Sequence, residues 1–430
     1  MLGTSFGNKE GILLGKKKNK LLGFERLTDS QLNHHVHIVG ASGFGKTVLL
    51  MHILRDRIRN GLGIMFIDLK GEREMLRELK DEVQKANREE DLRVFSLNQD
   101  VPSSKYNLVS GGTATQLRDR LMLSLCWSEE YYKNQSASFL LKLLIGLCWL
   151  RDNKNVPFDL EVILEGTKSA DFFKVWLKEI ADQSTSKIFD EALRFIKDEQ
   201  NFRSLQGLRT QLESLVLSDF GDKIAGSEDS IDLFRAATEG KIVFAFLDSR
   251  RYGESSKAIG KFILQDLKST SARIDSEIPK ELRKPFTVII DEFADLAQED
   301  FIGFLDRARS SKIGVVVAHQ ELSDLIRISP EFAGRLMGNT STLYAFLQKR
   351  PESAEIISGI AGTRTVWKKT LRTKRILWWD VATGDNSSRE TEEFNIHPNM
   401  IKSLEVGQCV VIKKYPRSES YSVDVLLKNT

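Results

Sequence analysis

"HIVGASGFGKTVLL", His37 to Leu50, is the stretch that decides the fold. An apolar run enters a loop rich in Gly and Ser, and from Lys46 onward the residues are spaced as on a helix. Gly40, Ala41, Ser42, Gly43, Phe44, Gly45, Lys46 and Thr47 fit GxxxxGK(S/T) at every fixed position, in the strand, loop, helix context that the pattern needs. Glycines let successive backbone N–H groups turn inward around phosphates, and a helix start adds a favourable dipole. Lys46 is the candidate for neutralising β- and γ-phosphate charge, and Thr47 for offering its hydroxyl to Mg2+. The bland alternative is a Gly-rich turn with a chance Lys-Thr.

A second motif bears on that choice. "FTVIIDEFADL", Phe286 to Leu296, puts Asp291 and Glu292 at the end of a short apolar strand, where the Walker B pair of a P-loop ATPase sits. Asp291 would hold the Mg2+ shell through water, and Glu292 would orient and deprotonate the attacking water. The alternative is a helix start with acidic capping residues. A carboxylate directly after the Walker B Asp argues for hydrolysis, hence a motor or loader. With no NKxD-type guanine-reading element at a strand end, ATP is preferred to GTP.

Bulk properties narrow the classes. A chain of 430 residues exceeds one compact core, so a large domain with a smaller inserted or appended one is expected. Lys and Arg total 63 against 60 Asp and Glu, a net charge of +3, which excludes a packaging protein or coating tail and makes any DNA contact local. Cys126, Cys148 and Cys409 are too few and too scattered for a disulfide framework, which points to a reducing, cytosolic compartment. No run approaches the roughly eighteen apolar residues of a membrane span, so the chain reads as soluble, with any membrane role left to a partner or a missing segment. His34, His35, His37 and His397 lack metal-ligand spacing and read as surface or core histidines.

Along the chain, "HVHIV", "GIMFIDLKGE" and "LRVFSL" alternate with helical stretches up to Val109, as in βαβ units on a parallel sheet. From about Thr113 to Ala237 long 3.6-period stretches predict an all-helical insertion. Buried-strand runs return in "KIVFAFLD", "FTVIIDEFADL", "IGVVVAHQ" and "STLYAFLQ", and "RILWWDVA" and "QCVVIKKY" suggest an edge hairpin or two. The expected domains are 1–112 and 238–430 for the two parts of a nucleotide-binding domain, the second ending in hairpins, and 113–237 for the insert.

With these motifs in order, the chain resembles the coupling ATPases of conjugative type IV secretion, the TraG/TraD type within the HerA/FtsK class of hexameric DNA pumps. "IDLKGE" at Ile67 to Glu72 looks like the family's acidic-Lys-Gly element and "YNLV" at Tyr106 to Val109 like its turn before the insert. "RARSSKIGVVVAHQELSDL" and "NTSTLYAFLQKRPESAEIISGIAGT" are similar to its later strands and helices. The resemblance implies an α/β fold: a RecA-like P-loop ATPase domain with a mainly parallel sheet, interrupted by an all-helical domain. It makes Gln320 the γ-phosphate sensor and Arg309 an arginine finger supplied to the neighbouring subunit, with Arg307 a close competitor. It implies ATP and Mg2+ as cofactors, a homohexamer around single- or double-stranded DNA, relaxase and channel components as partners, and a cytoplasmic place, peripheral at the inner membrane through a partner. Most members begin with transmembrane helices, which this sequence lacks.

The function so implied is ATP-dependent translocation of DNA or a relaxase-DNA substrate toward a secretion channel. Two alternatives stand beside it: a soluble HerA-type translocase in DNA processing or defence, and an ATP-controlled adaptor recruiting protein cargo. For DNA contact, "TRTVWKKTLRTKRILWW", Thr363 to Trp379, mixes Arg364, Lys368, Lys369, Arg372, Lys374 and Arg375 with tryptophans, as does a charged hairpin whose tryptophans simply pack. The lysine cluster from Lys16 to Lys20 carries the same ambiguity.

Overall fold

The computed structural model describes residues 11–18, 23–226, 229–376 and 379–427. They form two compact units, residues 1–53 with 318–430 and residues 54–317. The first unit opens with β1 (Ile12–Lys17), β2 (Phe24–Leu27) and β3 (Val36–Val39). The second holds β4 (Gly63–Asp68), β5 (Leu92–Ser96), β6 (Ile242–Phe246), β7 (Phe286–Asp291) and most of β8 (Ile313–His319). The chain then returns to the first unit for β9 (Thr342–Ala345), β10 (Thr363–Ile376), β11 (Trp379–Phe394), β12 (Gln408–Lys413) and β13 (Glu419–Val425).

In the second unit the strands lie in the order β8-β7-β4-β6-β5, and each neighbouring pair is parallel. Every residue of β4, β6 and β7 is buried, which is why these segments read as unbroken apolar runs: helices cover both faces of a parallel sheet. Parallel strands also leave their C-terminal ends along one edge, so Asp68 of β4 stands in register with Asp291 of β7.

The first unit is different in kind. Its order is β2-β1-β13-β12-β9-β3, and only the β3–β9 pair is parallel. The expected sheet is therefore extended by antiparallel strands from both ends of the chain. Of these, only β12 had a counterpart in the expected hairpins. Short strands such as β2, which sets one apolar and one charged residue on each face, have no long apolar run, so their place is set by the neighbours they bond. A fully buried carboxylate anchors this region: Glu25 accepts from Tyr344 Oη at 2.8 Å and Tyr421 Oη at 2.5 Å and pairs with Lys413 Nζ at 3.0 Å. Three partners satisfy a charge that would otherwise oppose folding.

β10 and β11 form a separate antiparallel hairpin. Opposite the basic β10 it sets Glu390, Glu392 and Glu393, and Lys368 pairs with Glu393 at 2.8 Å. Trp367 is exposed. The side chains of residues 369–388, including Lys369, Arg372, Lys374 and Arg375, lie outside the described residues, as do Trp378 and, in the lysine cluster, Lys20.

Between Thr113 and Ala237 the described residues form helices and no strand. The first is capped at its start: Thr113 accepts from Gln116 N while the Gln116 side chain accepts from Thr113 N, a reciprocal cap that satisfies two otherwise orphaned donors. This helix, Ala114–Ser124, packs on the long helix Ser249–Glu277. Between them lies Arg120, only 1 % exposed, which donates to the Leu108 carbonyl at 2.9 Å and pairs with Asp266 at 2.7 Å. Tyr106 Oη also donates to Asp266, at 2.6 Å. Removing one partner of such a pair strands a charge in a low-dielectric setting, so Arg120→Ala should lower unfolding free energy by about 3 kcal/mol. Urea denaturation checks this, and an unchanged midpoint would show that the pair is dispensable.

Candidate nucleotide site

In the first unit, β3 delivers the chain into the Gly40–Thr47 loop, and the helix Lys46–Arg59 follows. Gly40 N donates to the His319 carbonyl at 3.2 Å, and Ala41 N donates to the Leu347 carbonyl at 3.0 Å. The loop is thus tied to the ends of two strand segments. At Gly40 a Cβ would fall 2.4 Å from Phe346 Cβ, so only glycine lets the loop start this close to the strand. Gly43, by contrast, has a φ of +82° and nothing within 4 Å of its missing Cβ, which leaves space for a ligand on that side. Lys46 is buried, with Nζ donating to the Gly40 carbonyl at 2.5 Å. Its ammonium lies inside the turn, while Ser42 and Gly43 are exposed and Phe44, Gly45 and Thr47 are half-buried. Such a cradle, with a cation within it and a helix start below it, fits a polyphosphate.

Gln320 follows β8 directly and is exposed. The residue before it is held by an interaction that its sequence neighbourhood does not announce. His319 and His37, 282 positions apart and both buried, meet at 2.6 Å through their Nε2 atoms. His319 Nδ1 faces the Glu321 carbonyl at 3.0 Å, so Nδ1 carries the proton and Nε2 accepts from His37. Burial pushes the His319 pKa down to about 3, with the Lys46 charge adding to the fall. Burial also holds His37 well below its ordinary value, helped by His319 and Lys414. The expected surface or core histidine at position 37 is a core one. The neutral pair fixes the strand entering the loop to the backbone that presents Gln320.

In the second unit, Asp291 ends β7 and is 1 % exposed. Glu292 follows with a φ of +55°, left-handed backbone that is costly for a side-chain-bearing residue and is typical of functional turns. Its amide donates to Asp291 Oδ1 at 3.0 Å. Lys70 reaches both carboxylates: Nζ lies 3.4 Å from Asp291 Oδ2 and 3.3 Å from Glu292 Oε1. Burial alone would lower the Lys70 pKa, but Asp291, Glu292 and Glu72 outweigh it and hold the ammonium above its usual range. Asp68 accepts from the amides of Lys70, Gly71 and Glu72, which turns the chain back over Asp291. Burial, followed by the Asp291 charge, raises the Asp68 pKa to about 7.

Asp68 and Lys70 were visible as part of "IDLKGE" but carried no assigned role; their meeting with Asp291 follows from the register of β4 and β7. Arg309 and Arg307 lie at the end of the helix Phe301–Ala308, Arg309 half-buried and Arg307 exposed. No group of His, Cys, Asp and Glu suited to a metal ion occurs among the described residues. Mg2+ in P-loop sites is held mostly by water and phosphate, and the Thr47 hydroxyl in the first unit and the Asp291 carboxylate in the second are each, taken singly, of a kind that suits that chemistry.

The sequence profile described as the TraM recognition site of TraD and TraG matches residues 285–405, a stretch that includes Asp291, Glu292, Arg309 and Gln320. The type 4 coupling protein DotL of Legionella pneumophila is 22% identical across 85% of this chain and 52% of its own length, so the chain spans about half of that relative. Over most of its length the chain is similar to type IV coupling proteins. Among solved structures, the bacterial conjugative coupling protein TrwB in its unbound form aligns with a TM-score of 0.66 and 16% identity over 98% of this chain and 90% of TrwB. TrwB in complex with ADP and Mg2+ aligns with a TM-score of 0.66 at 16% identity, over 94% of this chain and 87% of that one. VirB4 of Thermoanaerobacter pseudethanolicus aligns at 0.59 with 14% identity over 98% and 97%. The fold is accordingly the RecA-like P-loop fold of the coupling proteins, with the mainly parallel sheet expected from the sequence.

The Asp68 environment has a thermodynamic consequence. With a folded pKa near 7 against 3.8 unfolded, the native state binds one more proton in between, so this residue's contribution is present below the unfolded value and is lost as pH rises toward about 7. Asp68→Asn should therefore flatten the fall in stability over that window, as read by urea midpoints at successive pH values. An identical slope in the variant would count against the assignment.

Proposed function

We propose that this chain is the motor part of a coupling ATPase, hydrolysing ATP in a homohexamer to move DNA or a relaxase-DNA substrate toward a secretion channel. The observation that carries the reading is the Asp291–Glu292 pair at the end of a fully buried parallel strand, in a chain whose GASGFGKT loop opens a helix. In this reading the backbone from Gly40 to Thr47 cradles the phosphates, Lys46 neutralises them, and Gln320 donates its amide to the γ-phosphate and responds to its departure. Thr47 and Asp291 would hold the Mg2+ shell, and Glu292 would take the proton of the attacking water. Mg2+, when bound, supplies charge neutralisation across the β- and γ-phosphates.

TrwB has been seen with ATP and GTP analogues and with ADP and Mg2+, which supports ATP and Mg2+ as the cofactors here. The run of helices in 113–237 supports an inserted all-α domain between the two parts of the nucleotide-binding domain, 1–112 and 238–430. Among the described residues no helix is long and apolar enough to cross a membrane, which accords with a cytoplasmic place and with inner-membrane docking through a partner. The matched family's description as a TraM recognition site favours a protein partner alongside DNA. DNA-stimulated turnover separates the pump from an adaptor that uses ATP only to control assembly. Glu393, opposite Arg364 in register and ion-paired with Lys368, favours DNA contacts elsewhere than the described part of the β10–β11 hairpin.

Lys46→Ala should abolish hydrolysis, whereas Glu292→Gln should keep nucleotide binding and lose about 10² or more in turnover, because only the water-activating carboxylate is gone. Binding by fluorescent nucleotide and phosphate release read the two separately, and wild-type turnover in Glu292→Gln would remove the Walker B assignment.

Arg309 is assigned to the neighbouring subunit's γ-phosphate, where a guanidinium would stabilise transition-state charge. Arg309→Ala and Lys46→Ala should each be inactive, and mixing them should restore partial activity, since some junctions pair an intact Lys46 with an intact Arg309. Mixed hexamers that form by light scattering yet stay inactive would place Arg309 in its own subunit or make Arg307 the finger.

A further inference from the structure

Lys70 has no part in the hydrolysis scheme above, yet its side chain is tied to two of that scheme's carboxylates. Strand register and a tight turn build this contact. β4 and β7 run in register to Asp68 and Asp291, and the Asp68 carboxylate then gathers the amides of Lys70, Gly71 and Glu72 at 2.9, 3.1 and 3.1 Å. Gly71 takes a φ of +71°, and a Cβ there would lie 2.6 Å from Asp248 Cγ, so the tight return admits no side chain. Asp248 is itself braced, accepting from Asn98 Nδ2 at 3.0 Å. Lys70 consequently folds back with only 11% of its side chain exposed, against 1% for Asp291 and 16% for Glu292.

A lysine that only fastened the turn to the strand would need one carboxylate. This one spans the Asp assigned to metal and the Glu assigned to water, and it does so largely withdrawn from solvent, where charge pairing is poorly screened. One ammonium faces these two carboxylates, with Glu72 Oε1 a further partner at 3.9 Å, so the cluster stays net negative. A divalent cation arriving alone must displace the ammonium from at least one of them, whereas a cation arriving on a polyphosphate brings further oxygen ligands with it.

We propose that Lys70 is the built-in counter-ion of the Asp291–Glu292 pair and competes with divalent metal for it, so that the pair accepts the metal only as a metal–nucleotide complex. The inference rests on the reading of Asp291 as a metal-holding residue and adds to it an order of binding and the residue that enforces it. Lys70 acts through the carboxylates and touches no substrate.

The test uses the full chain without nucleotide and Mn2+ alone, with free Mn2+ followed by electron paramagnetic resonance. Lys70→Met and Lys70→Gln should each bind Mn2+ about tenfold more tightly than the wild type. Lys70→Arg, which keeps the charge, should stay close to the wild type, and adding Asp291→Asn to Lys70→Gln should erase the gain. A purely structural role would not distinguish the neutral variants from arginine in this way. Equal Mn2+ affinity in wild type and a folded neutral variant, verified by circular dichroism, overturns the proposal, and so does a gain that survives Asp291→Asn. If both neutral variants fail to fold while Lys70→Arg folds, Glu292→Gln in the wild-type background replaces them: it leaves the ammonium to Asp291 and the more distant Glu72 and should weaken Mn2+ binding further, and tighter binding refutes competition. No turnover is measured, so failure of the hydrolysis reading under Lys46→Ala and failure of this proposal are separate results.

Discussion

The parallel register of β4 and β7 is the constraint from which the chemistry of the second unit follows. Both strands are buried along their whole length, so their backbone groups can be satisfied only by each other and by the neighbouring strands. A slip of one residue would turn every side chain to the opposite face. Held in this register, the two strands end together on Asp68 and Asp291, and two carboxylates stand side by side at the sheet edge. Neither could remain there unaided. Asp68 meets the burden by collecting three amides and by favouring its protonated form, and Asp291 meets it with the ammonium of Lys70.

The first unit solves a related problem with neutral groups. A buried cation, Lys46, lies in the GASGFGKT loop, and the imidazoles packed nearby are kept uncharged by burial. A neutral His37–His319 pair costs little desolvation and still provides a directional link, because the Nδ1 contact of His319 dictates which Nε2 donates. The link joins the strand that enters the loop to the backbone on either side of Gln320. Carbonyl acceptance by His319 from Gly40 reinforces it. Rigid presentation of both the loop and the Gln320 position is what the proposed reading needs if the site is to distinguish a phosphate from its absence.

Placing ionisable groups at the ends of buried strands raises the energetic stakes, and the surrounding structure is over-determined to match. Glu25 has three partners, Asp266 has Arg120 and Tyr106, and the turn after β4 is closed by a glycine for which no substitute fits. Each arrangement removes alternatives that would leave a charge unpaired.

By itself the sequence determined whatever depends on neighbours along the chain. The GASGFGKT loop, the Asp291–Glu292 pair after an apolar run and the buried strands were legible because turn geometry and burial on both faces act over a few consecutive residues. Tertiary structure alone decided which distant groups meet. Lys70 found its carboxylates, His37 found His319 and Glu25 found Tyr421 through strand order and register, and the antiparallel strands at the two chain ends took their places by bonding to an existing edge. A charge or a short half-polar strand carries no local mark of its partner; its energy is defined only once folding has excluded water and brought the partner within a few ångströms.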